Sequence, residues 1–194
     1  TRNLVVRNDV RESTFGVVPA GGDSYYAHNV VVDNEYGLGV VGDRNVFADN
    51  VVVENEVGAR ANEILPSNRV LRNDFVGNDR AVESNIGPLR TWTHRGVGNY
   101  WGALPITDGD GDGAYDRPYR PSGTVDSRLG TVQGATSLAG SPAVATLRGV
   151  QRSVSGLRQS GVVDTAARTR PYHPGTLGNV TDNRQNATSG GVAP

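Results

Sequence analysis

The chain has 194 residues and a formal net charge of −1, and 36% of its residues are hydrophobic. The near-zero net charge gives no electrostatic support for nucleic-acid binding, and the absence of cysteine excludes disulfides, thiolate catalysis and cysteine–zinc sites. Abundant valine and asparagine with 26 glycines favour short strands joined by tight turns, so we expect an all-β fold. Because Thr1 lies inside what reads as a running repeat, we interpret the chain as a fragment or as the mature piece of a longer protein.

A repeated unit occupies residues 1–90, in which two asparagines bracket four residues. The copies read NLVVRN at 3–8, NVVVDN at 29–34, NVVVEN at 50–55 and NDFVGN at 73–78. A second series places Asn68 one repeat after Asn45. The spacing of about 21–23 residues indicates a solenoid.

The composition of the repeat points to one kind of solenoid. A leucine-rich repeat needs more leucine than this segment has, and helical repeats need apolar residues at helical spacing. We therefore predict a parallel β-helix, with inward-facing valines and one strand between the two asparagines of each pair. Asparagine can adopt the left-handed conformation at a corner and hydrogen-bond to the coils on either side.

The next predicted domain, residues 91–126, contains both tryptophans of the chain, Trp92 and Trp101. An open solenoid end exposes its core and its strand edges, so it requires a cap. We expect these rings to seal the last coil, with a sugar-stacking platform as the alternative.

An acidic loop lies in the same domain. Asp108, Asp110 and Asp112 alternate with other residues before Gly113, as in the first half of an EF-hand calcium loop, and Asp116 stands at its ninth position. Hard oxygen ligands at alternate positions can converge on one cation. We expect calcium here rather than magnesium, and the alternative is a solvated acidic turn.

The loop departs from an EF-hand at its end. The twelfth position is Tyr119 where an EF-hand has Glu, and the flanking segments lack helical periodicity. Asp126 could complete the ligand shell if the chain returns to the loop.

The third predicted domain, residues 127–174, is expected to contain a helix at about 141–160. Ser141 can cap it, Pro142 suits its first turn and Gly161 suits its end. Apolar residues recur at helical spacing at Val144, Leu147, Val154 and Leu157. Such a helix either packs on the β-helix or docks a transporter subunit.

The last segment, residues 175–194, is polar and rich in glycine, asparagine and threonine, so it is predicted to be disordered. It contains two N-x-T sequences, at Asn179 and Asn186, which could carry glycans in a host that glycosylates exported proteins.

The order of these motifs resembles the C-terminal part of NosD-like proteins, the accessory proteins of nitrous oxide reductase. Asparagine-rich repeats lead into GNYW at 98–101 and DGDGDGAYDRPYR at 108–120, and GSPAVATLRGVQRSVSGLRQSGVVD follows at 140–164. The resemblance covers roughly residues 1–175.

This resemblance implies a right-handed parallel β-helix of the carbohydrate-binding and sugar-hydrolase (CASH) type. It implies a periplasmic location, or one at the outer face of the cytoplasmic membrane. An ABC transporter, a copper chaperone and nitrous oxide reductase would be the partners, and maturation of the copper-sulfide centre of the reductase would be the role. Copper binding is implied by the resemblance only.

The histidines are the remaining candidates for copper binding, since there is no cysteine or methionine. His28, His94 and His173 are far apart in sequence, and none has a histidine at i+2 or i+4. Each is therefore predicted to be a surface or cap residue, with His94, close to Trp92, the best copper candidate. We expect no copper site of nanomolar affinity from the sequence alone.

Three functions fit the sequence. The one we favour is a maturation factor that binds and scaffolds without catalysing a reaction. A polysaccharide lyase or epimerase is the enzymatic alternative, but no catalytic pair stands out among the carboxylates and lysine is absent. A calcium-stabilised cell-surface β-helix is the structural alternative.

Overall fold

The computed structural model describes residues 2–121 and 161–189. Asp126 and the helix expected at about 141–160 lie outside the described residues. The described part is mostly β, and one helix follows it, so the prediction of an all-β parallel solenoid is confirmed.

Short strands stack into three parallel sheets, each with one strand from every coil. The first sheet contains β1 (Leu4–Val6), β4 (Tyr25–Ala27), β7 (Val46–Ala48) and β10 (Arg69–Leu71). The second contains β2 (Asp9–Arg11), β5 (Val30–Val32), β8 (Val51–Val53) and β11 (Asp74–Val76). The third contains β3 (Phe15–Val17), β6 (Tyr36–Val40), β9 (Val57–Ala61) and β12 (Arg80–Glu83).

The register of these sheets reproduces the period of the sequence. Leu4 pairs with Tyr25, Tyr25 with Val46, and Val46 with Arg69, so equivalent residues are one coil apart. Hydrogen bonds between adjacent coils span 21 residues and, in the last full coil, 23 residues.

Asparagine ladders fasten the coils to one another at the corners. In the longest ladder the side-chain amide of each asparagine donates to the side-chain oxygen of the next, through Asn8, Asn29, Asn50, Asn73 and Asn99. The same oxygen accepts the backbone N–H of the preceding rung. Buried polar groups are thereby satisfied at a corner where the strand hydrogen bonds are interrupted.

The expectation that these asparagines are themselves left-handed is wrong. The positive φ angles belong to the residue just before the rung, as at His28 (54°), Asp49 (59°) and Arg72 (56°). The reason is that the corner turns at that residue, which leaves the asparagine amide pointing inward along the ladder. Residues at the left-handed position therefore form an outward-facing column beside each ladder.

The valine triplets contribute side chains to two apolar clusters. The middle residues Val31 and Val52 lie in the solenoid core, whereas Val32 and Val51 belong to a second cluster on the outer side of the sheet. The helix α1 (Pro174–Ser189) covers this outer side and contributes Val180 to the cluster.

Helix α1 corrects the prediction of disorder for the C-terminal tail, at least up to Ser189. Polar composition alone predicted disorder, but Leu177 and Val180 place apolar groups one turn apart, against an apolar sheet face. Packing onto that face stabilises a helix that composition alone would not. Both N-x-T sequences lie within α1.

The end of the solenoid is closed by aromatic rings. Phe75 stacks on Trp101 with ring centroids 4.5 Å apart, and the Trp92 centroid lies 6.1 Å from that of Trp101. Both indole rings are buried, which leaves them no open face on which a sugar could stack. Their position matches a seal over the last coil.

The segment after the described gap completes this closure. Strand β13 (Leu89–Thr91) pairs in parallel with β14 (Gly161–Val163), and Trp92 donates its backbone N–H to the carbonyl of Val163. The sequence analysis placed β13 in the domain 91–126 and β14 in the domain 127–174. Because the two strands pair, these two predicted domains pack together.

Candidate functional site

Among the described residues, the acidic loop at residues 108–116 places three carboxylates where they could hold a cation. A second cluster of ionisable side chains lies at a corner of the solenoid, where two histidines approach two aspartates. The second was not evident in the sequence.

The acidic loop brings three of its four carboxylates together. One oxygen from each of Asp108, Asp110 and Asp116 lies within 4.8 Å of the others. Two oxygens bound to one Ca²⁺ at about 2.3–2.6 Å can be at most about 5 Å apart, so this spacing is compatible with calcium. Asp112 is not in this group, and Asp126 lies outside the described residues.

Backbone hydrogen bonds hold the acidic loop in its turn. Asp108 accepts the N–H groups of Gly111 and Gly113, whereas Asp116 accepts the N–H of Gly109. Gly113 has a φ of 81°, which fits the sharp turn that the sequence predicts there. Asp112 accepts the N–H of Ala114, two residues further along the chain.

The loop is also joined to the cap. Thr169 donates its backbone N–H to the carbonyl of Gly113, and Tyr115 donates its N–H to the carbonyl of Ala167. A cation in the loop would thus stabilise the junction between the loop and the segment after β14.

His94 lies in a short antiparallel bridge with Val97 and lines an open cleft of about 310 Å³. In the part of the chain that the structure describes, His94 does not join any group of three ligand side chains within 4.8 Å of one another. His94 lies beside the cap, as the sequence suggested, and the described residues around it form no ligand set.

One side of the histidine corner is the column of residues with positive φ angles beside the longest asparagine ladder. Successive coils place Arg7, His28, Asp49 and Arg72 in this column. Because equivalent residues in a parallel solenoid are one strand spacing apart, about 4.8 Å, the side chains of His28 and Asp49 are neighbours.

Arg72 fixes the carboxylate of Asp49. Its Nε donates to Oδ1 at 2.8 Å and its Nη2 donates to Oδ2 at 2.7 Å, which is a bidentate pair. Hydrogen bonding to Asp49 raises the pKa of Arg72. The pair holds Asp49 in one orientation and leaves lone pairs on both of its oxygens.

His173 reaches this column from the segment that leads into α1. Its Nδ1 lies 3.0 Å from Oδ2 of Asp74, which is fully buried. Asp74 also accepts the backbone N–H groups of Tyr172 and His173 at 2.8 and 2.7 Å. Nδ1 of His173 makes the third polar contact of this carboxyl group.

Burial raises the pKa of Asp74, whereas the N–H groups of Tyr172 and His173 and the His173 ring oppose that rise. A buried carboxylate bonded to the far nitrogen of a histidine is the arrangement that orients histidine ligands in metal sites.

His173 approaches both Asp49 and His28 at this corner. Nε2 of His173 lies 3.9 Å from Oδ1 of Asp49, and the ring centroids of His28 and His173 are 6.3 Å apart, edge to face. His28 is exposed and His173 is partly exposed. His28, Asp49 and His173 do not place one ligand atom each within 4.8 Å of one another, as three carboxylates of the acidic loop do.

Sequence reasoning missed this constellation because it sought histidines close together along the chain. His28 could have been matched to Asp49 by the 21-residue repeat, since both immediately precede a ladder asparagine. No repeat signal marks His173, which reaches the corner through the docking of α1.

Several surface carboxylates that an enzyme of this fold could use are paired with arginine. Arg80 contacts Glu56 and Glu83 at 2.8 and 2.7 Å, and Arg44 contacts Asp23 at 2.7 Å. The hydrogen bond from Arg44 lowers the pKa of Asp23. Asp23, held ionised in this way, is unsuited to general-acid catalysis.

Within residues 2–121 and 161–189, no helix has the length and apolarity to cross a bilayer.

Comparison with known proteins adds the following. The family model described as "Periplasmic copper-binding protein (NosD)" matches residues 1–105. A protein of Stutzerimonas stutzeri named "Probable ABC transporter binding protein NosD" is 35% identical over 98 residues, which is 50% of this chain. The match covers 22% of that relative, so the chain spans only a small part of its length.

Proposed function

Because the chain belongs to the NosD family, described as periplasmic copper-binding proteins, we propose that it is an extracytoplasmic accessory protein for maturation of the copper-sulfide centre of nitrous oxide reductase. In this proposal it acts as a binding and scaffolding partner of an ABC transporter, and it is not an enzyme. The observation that carries the proposal is the family match over residues 1–105, which are the solenoid and the start of its cap.

The structure supports a scaffolding role through its rigidity. Ladders and parallel sheets hold each coil to the next, so side chains on different coils keep fixed separations along the solenoid. A surface of this kind can hold two partners in a set geometry without a deep pocket. Partnership with the transporter is further supported by the name of the Stutzerimonas stutzeri relative.

The remaining partners in the proposal are a copper chaperone, which would deliver the metal, and the reductase, which would receive it. Both rest on the resemblance to NosD-like proteins. Calcium in the acidic loop would have a structural role, at the junction between loop and cap.

Capture by the transporter tests the proposal. The chain is immobilised with calcium present and exposed to the purified ABC transporter complex encoded beside its gene, and the bound complex is quantified. A variant in which residues 141–160 are replaced by a Gly/Ser linker of equal length tests whether that segment is the docking element. The replacement stops before Gly161, because β14 pairs with β13 and Asp164 closes the asparagine ladder.

Specific capture of the transporter is the expected result. Its loss in the linker variant, with an unchanged melting temperature, would make residues 141–160 the docking element. Failure of the unaltered chain to capture the complex would contradict the proposal and favour a calcium-stabilised surface protein.

A further inference from the structure

Exposed apolar side chains are concentrated on two neighbouring loops beside the cap. The described residues include eight exposed large hydrophobic residues, and four of them lie in the loop 62–68 or in the segment 84–89, namely Ile64, Leu65, Ile86 and Leu89. Ile64 and Leu65 are 74% and 72% exposed. Single exposed apolar residues are ordinary, whereas a group of them marks a surface that another molecule or segment covers. We call these four residues the apolar patch.

We propose that residues 141–160, which lie outside the described residues, dock on the apolar patch through the apolar face that the sequence predicts for them. The sequence left two roles open for this helix, packing on the solenoid and docking a transporter subunit. The patch supports the first of these roles. The inference does not rest on the proposed function.

The first argument is that the two loops are held side by side. The guanidinium of Arg90 is fully buried and donates to the backbone carbonyls of Glu63 and Ile86. Its Nε lies 3.0 Å from Oε2 of Glu63. Asn85 donates its backbone N–H to the side-chain oxygen of Asn62, which joins the same two loops a second time. The loops therefore keep a fixed relative position, and the patch is a preformed surface.

The second argument is the place where the chain re-enters the described part. Leu89 of the patch pairs with Gly161, the residue with which the description resumes. The end of the segment 141–160 therefore lies at the edge of the patch. An α-helix rises about 1.5 Å per residue, so Val154 and Leu157 would lie within about 10 Å of Gly161 along the helix axis.

The third argument is the chemical match between the two surfaces. One face of the predicted helix carries the aliphatic residues Val144, Leu147, Val154 and Leu157. Contact between these side chains and the isoleucines and leucines of the patch removes apolar surface from water on both sides. Arg152 lies two residues before Val154, about 200° around the helix, so docking through the apolar face turns this arginine towards solvent.

Helix α1 follows the same principle elsewhere in this protein. It is polar in composition, and it packs on the outer valine cluster through Leu177 and Val180. A short helix is marginal in isolation and gains its stability from the packing of an apolar face. Residues 141–160 and the apolar patch offer the same pairing beside the cap.

Because the chain has no cysteine, disulfide trapping gives a direct test. Leu65→Cys is combined with either Val154→Cys or Leu157→Cys, which places one thiol on the patch and one on the apolar face. A disulfide requires Cα atoms no more than about 7 Å apart, and mild oxidation of the whole chain should join at least one of these pairs. Leu65→Cys with Arg152→Cys is the matched control. Its second thiol lies on the opposite face, so it should form about tenfold less intramolecular disulfide.

Trypsin gives a second readout that needs no introduced cysteine. It cleaves after arginine, and Arg148 and Arg152 lie in the segment. Cleavage follows the population of the undocked form, so the double variant Ile64→Ser, Leu65→Ser should raise the cleavage rate at both arginines about tenfold. Leu4→Ser is the matched control, because Leu4 is 70% exposed but lies in the first coil, and it should leave the rate unchanged.

Three outcomes would overturn the proposal. Equal trapping in the apolar-face and control pairs, or none in either, would show that the segment does not dock through its predicted apolar face. Disulfide-linked dimers of Leu65→Cys alone would assign the patch to a second copy of the chain. Weaker transporter capture by the double serine variant, with unchanged trypsin cleavage, would assign the patch to the transporter. Transporter capture by the unaltered chain is a separate measurement, so docking can fail while capture persists, and the reverse.

Discussion

The carboxylate of Asp164 ends the asparagine ladder at Asn99. Oδ2 of Asp164 accepts the backbone N–H of Asn99 at 2.7 Å and its side-chain amide at 3.2 Å. The same oxygen accepts the indole N–H of Trp101, and Oδ1 accepts the hydroxyl of Thr93. Asp164 is fully buried. One side chain from the C-terminal segment therefore satisfies the last donors of both the ladder and the cap.

Asp164→Ala should destabilise the protein by at least about 3 kcal/mol, because it leaves several buried donors without an acceptor, each costing about 1–3 kcal/mol. Asp164→Asn should cost less, since its one oxygen can still accept from Asn99. Its amide, however, would face the N–H of Ala166, which Oδ1 now accepts. Urea unfolding of the two variants measures the difference. Equal losses would contradict the role of Oδ2 as the acceptor for Asn99 and Trp101.

Trp101→Ala should lower the free energy of unfolding by about 3–5 kcal/mol, the usual cost of truncating a buried aromatic residue. The indole packs on Phe75 at 4.5 Å and also donates to Asp164. Trp101→Phe keeps a ring but removes the donor, so it separates packing from hydrogen bonding. Denaturant melts followed by circular dichroism provide the comparison. A loss in Trp101→Phe as large as in Trp101→Ala would assign the effect to the hydrogen bond.

The buried pair of Glu63 and Arg90 predicts a pH dependence. Their side chains are 5% and 1% exposed, and Nε of Arg90 lies 3.0 Å from Oε2 of Glu63. Burial raises the pKa of Glu63 despite the nearby guanidinium. Arg90 also donates to Ser84 and to backbone carbonyls, including that of Glu63, so its charge does not depend on Glu63 alone.

A raised pKa in the folded state means that the folded protein binds this proton more readily than the unfolded chain. The stability from protonated Glu63 is therefore present below the unfolded pKa, 4.5, and is lost as pH rises through the higher folded pKa. Relative to Glu63→Gln, the unaltered protein should lose stability across that window. Melts of both proteins from pH 4 to pH 8 give the difference, and a pH-independent or rising difference would contradict the prediction.

Calcium should raise the melting temperature, because Asp108, Asp110 and Asp116 would share a cation that offsets their mutual repulsion. Asp110→Ala should remove this effect. Asp112→Asn is the matched control, since Asp112 lies outside the group of three, and it should keep most of the shift. Melting curves with calcium and with a chelator make the measurement. If the unaltered protein melts identically with calcium and with the chelator, the loop does not bind calcium.

The sequence alone carried much of the fold. Valine triplets between paired asparagines, recurring about every 22 residues, predicted a parallel solenoid with one strand per pair, and β5 and β8 lie between such pairs. A period is visible in sequence because every coil repeats the same local conformation and the same contacts with its neighbours. The acidic loop was visible for a similar reason, since its carboxylates and glycines are close along the chain.

Only the tertiary structure showed the contacts that occur once and that join residues distant in sequence. The repeat could not show that Asp164 ends the ladder, that α1 covers the outer valines, or that His173 meets His28 and Asp49. These contacts join segments that share no period, and they depend on which surface the C-terminal segment packs against. Local propensity and spacing specify conformations between neighbours, whereas burial of apolar surface and satisfaction of the last hydrogen-bond donors determine where a distant segment docks.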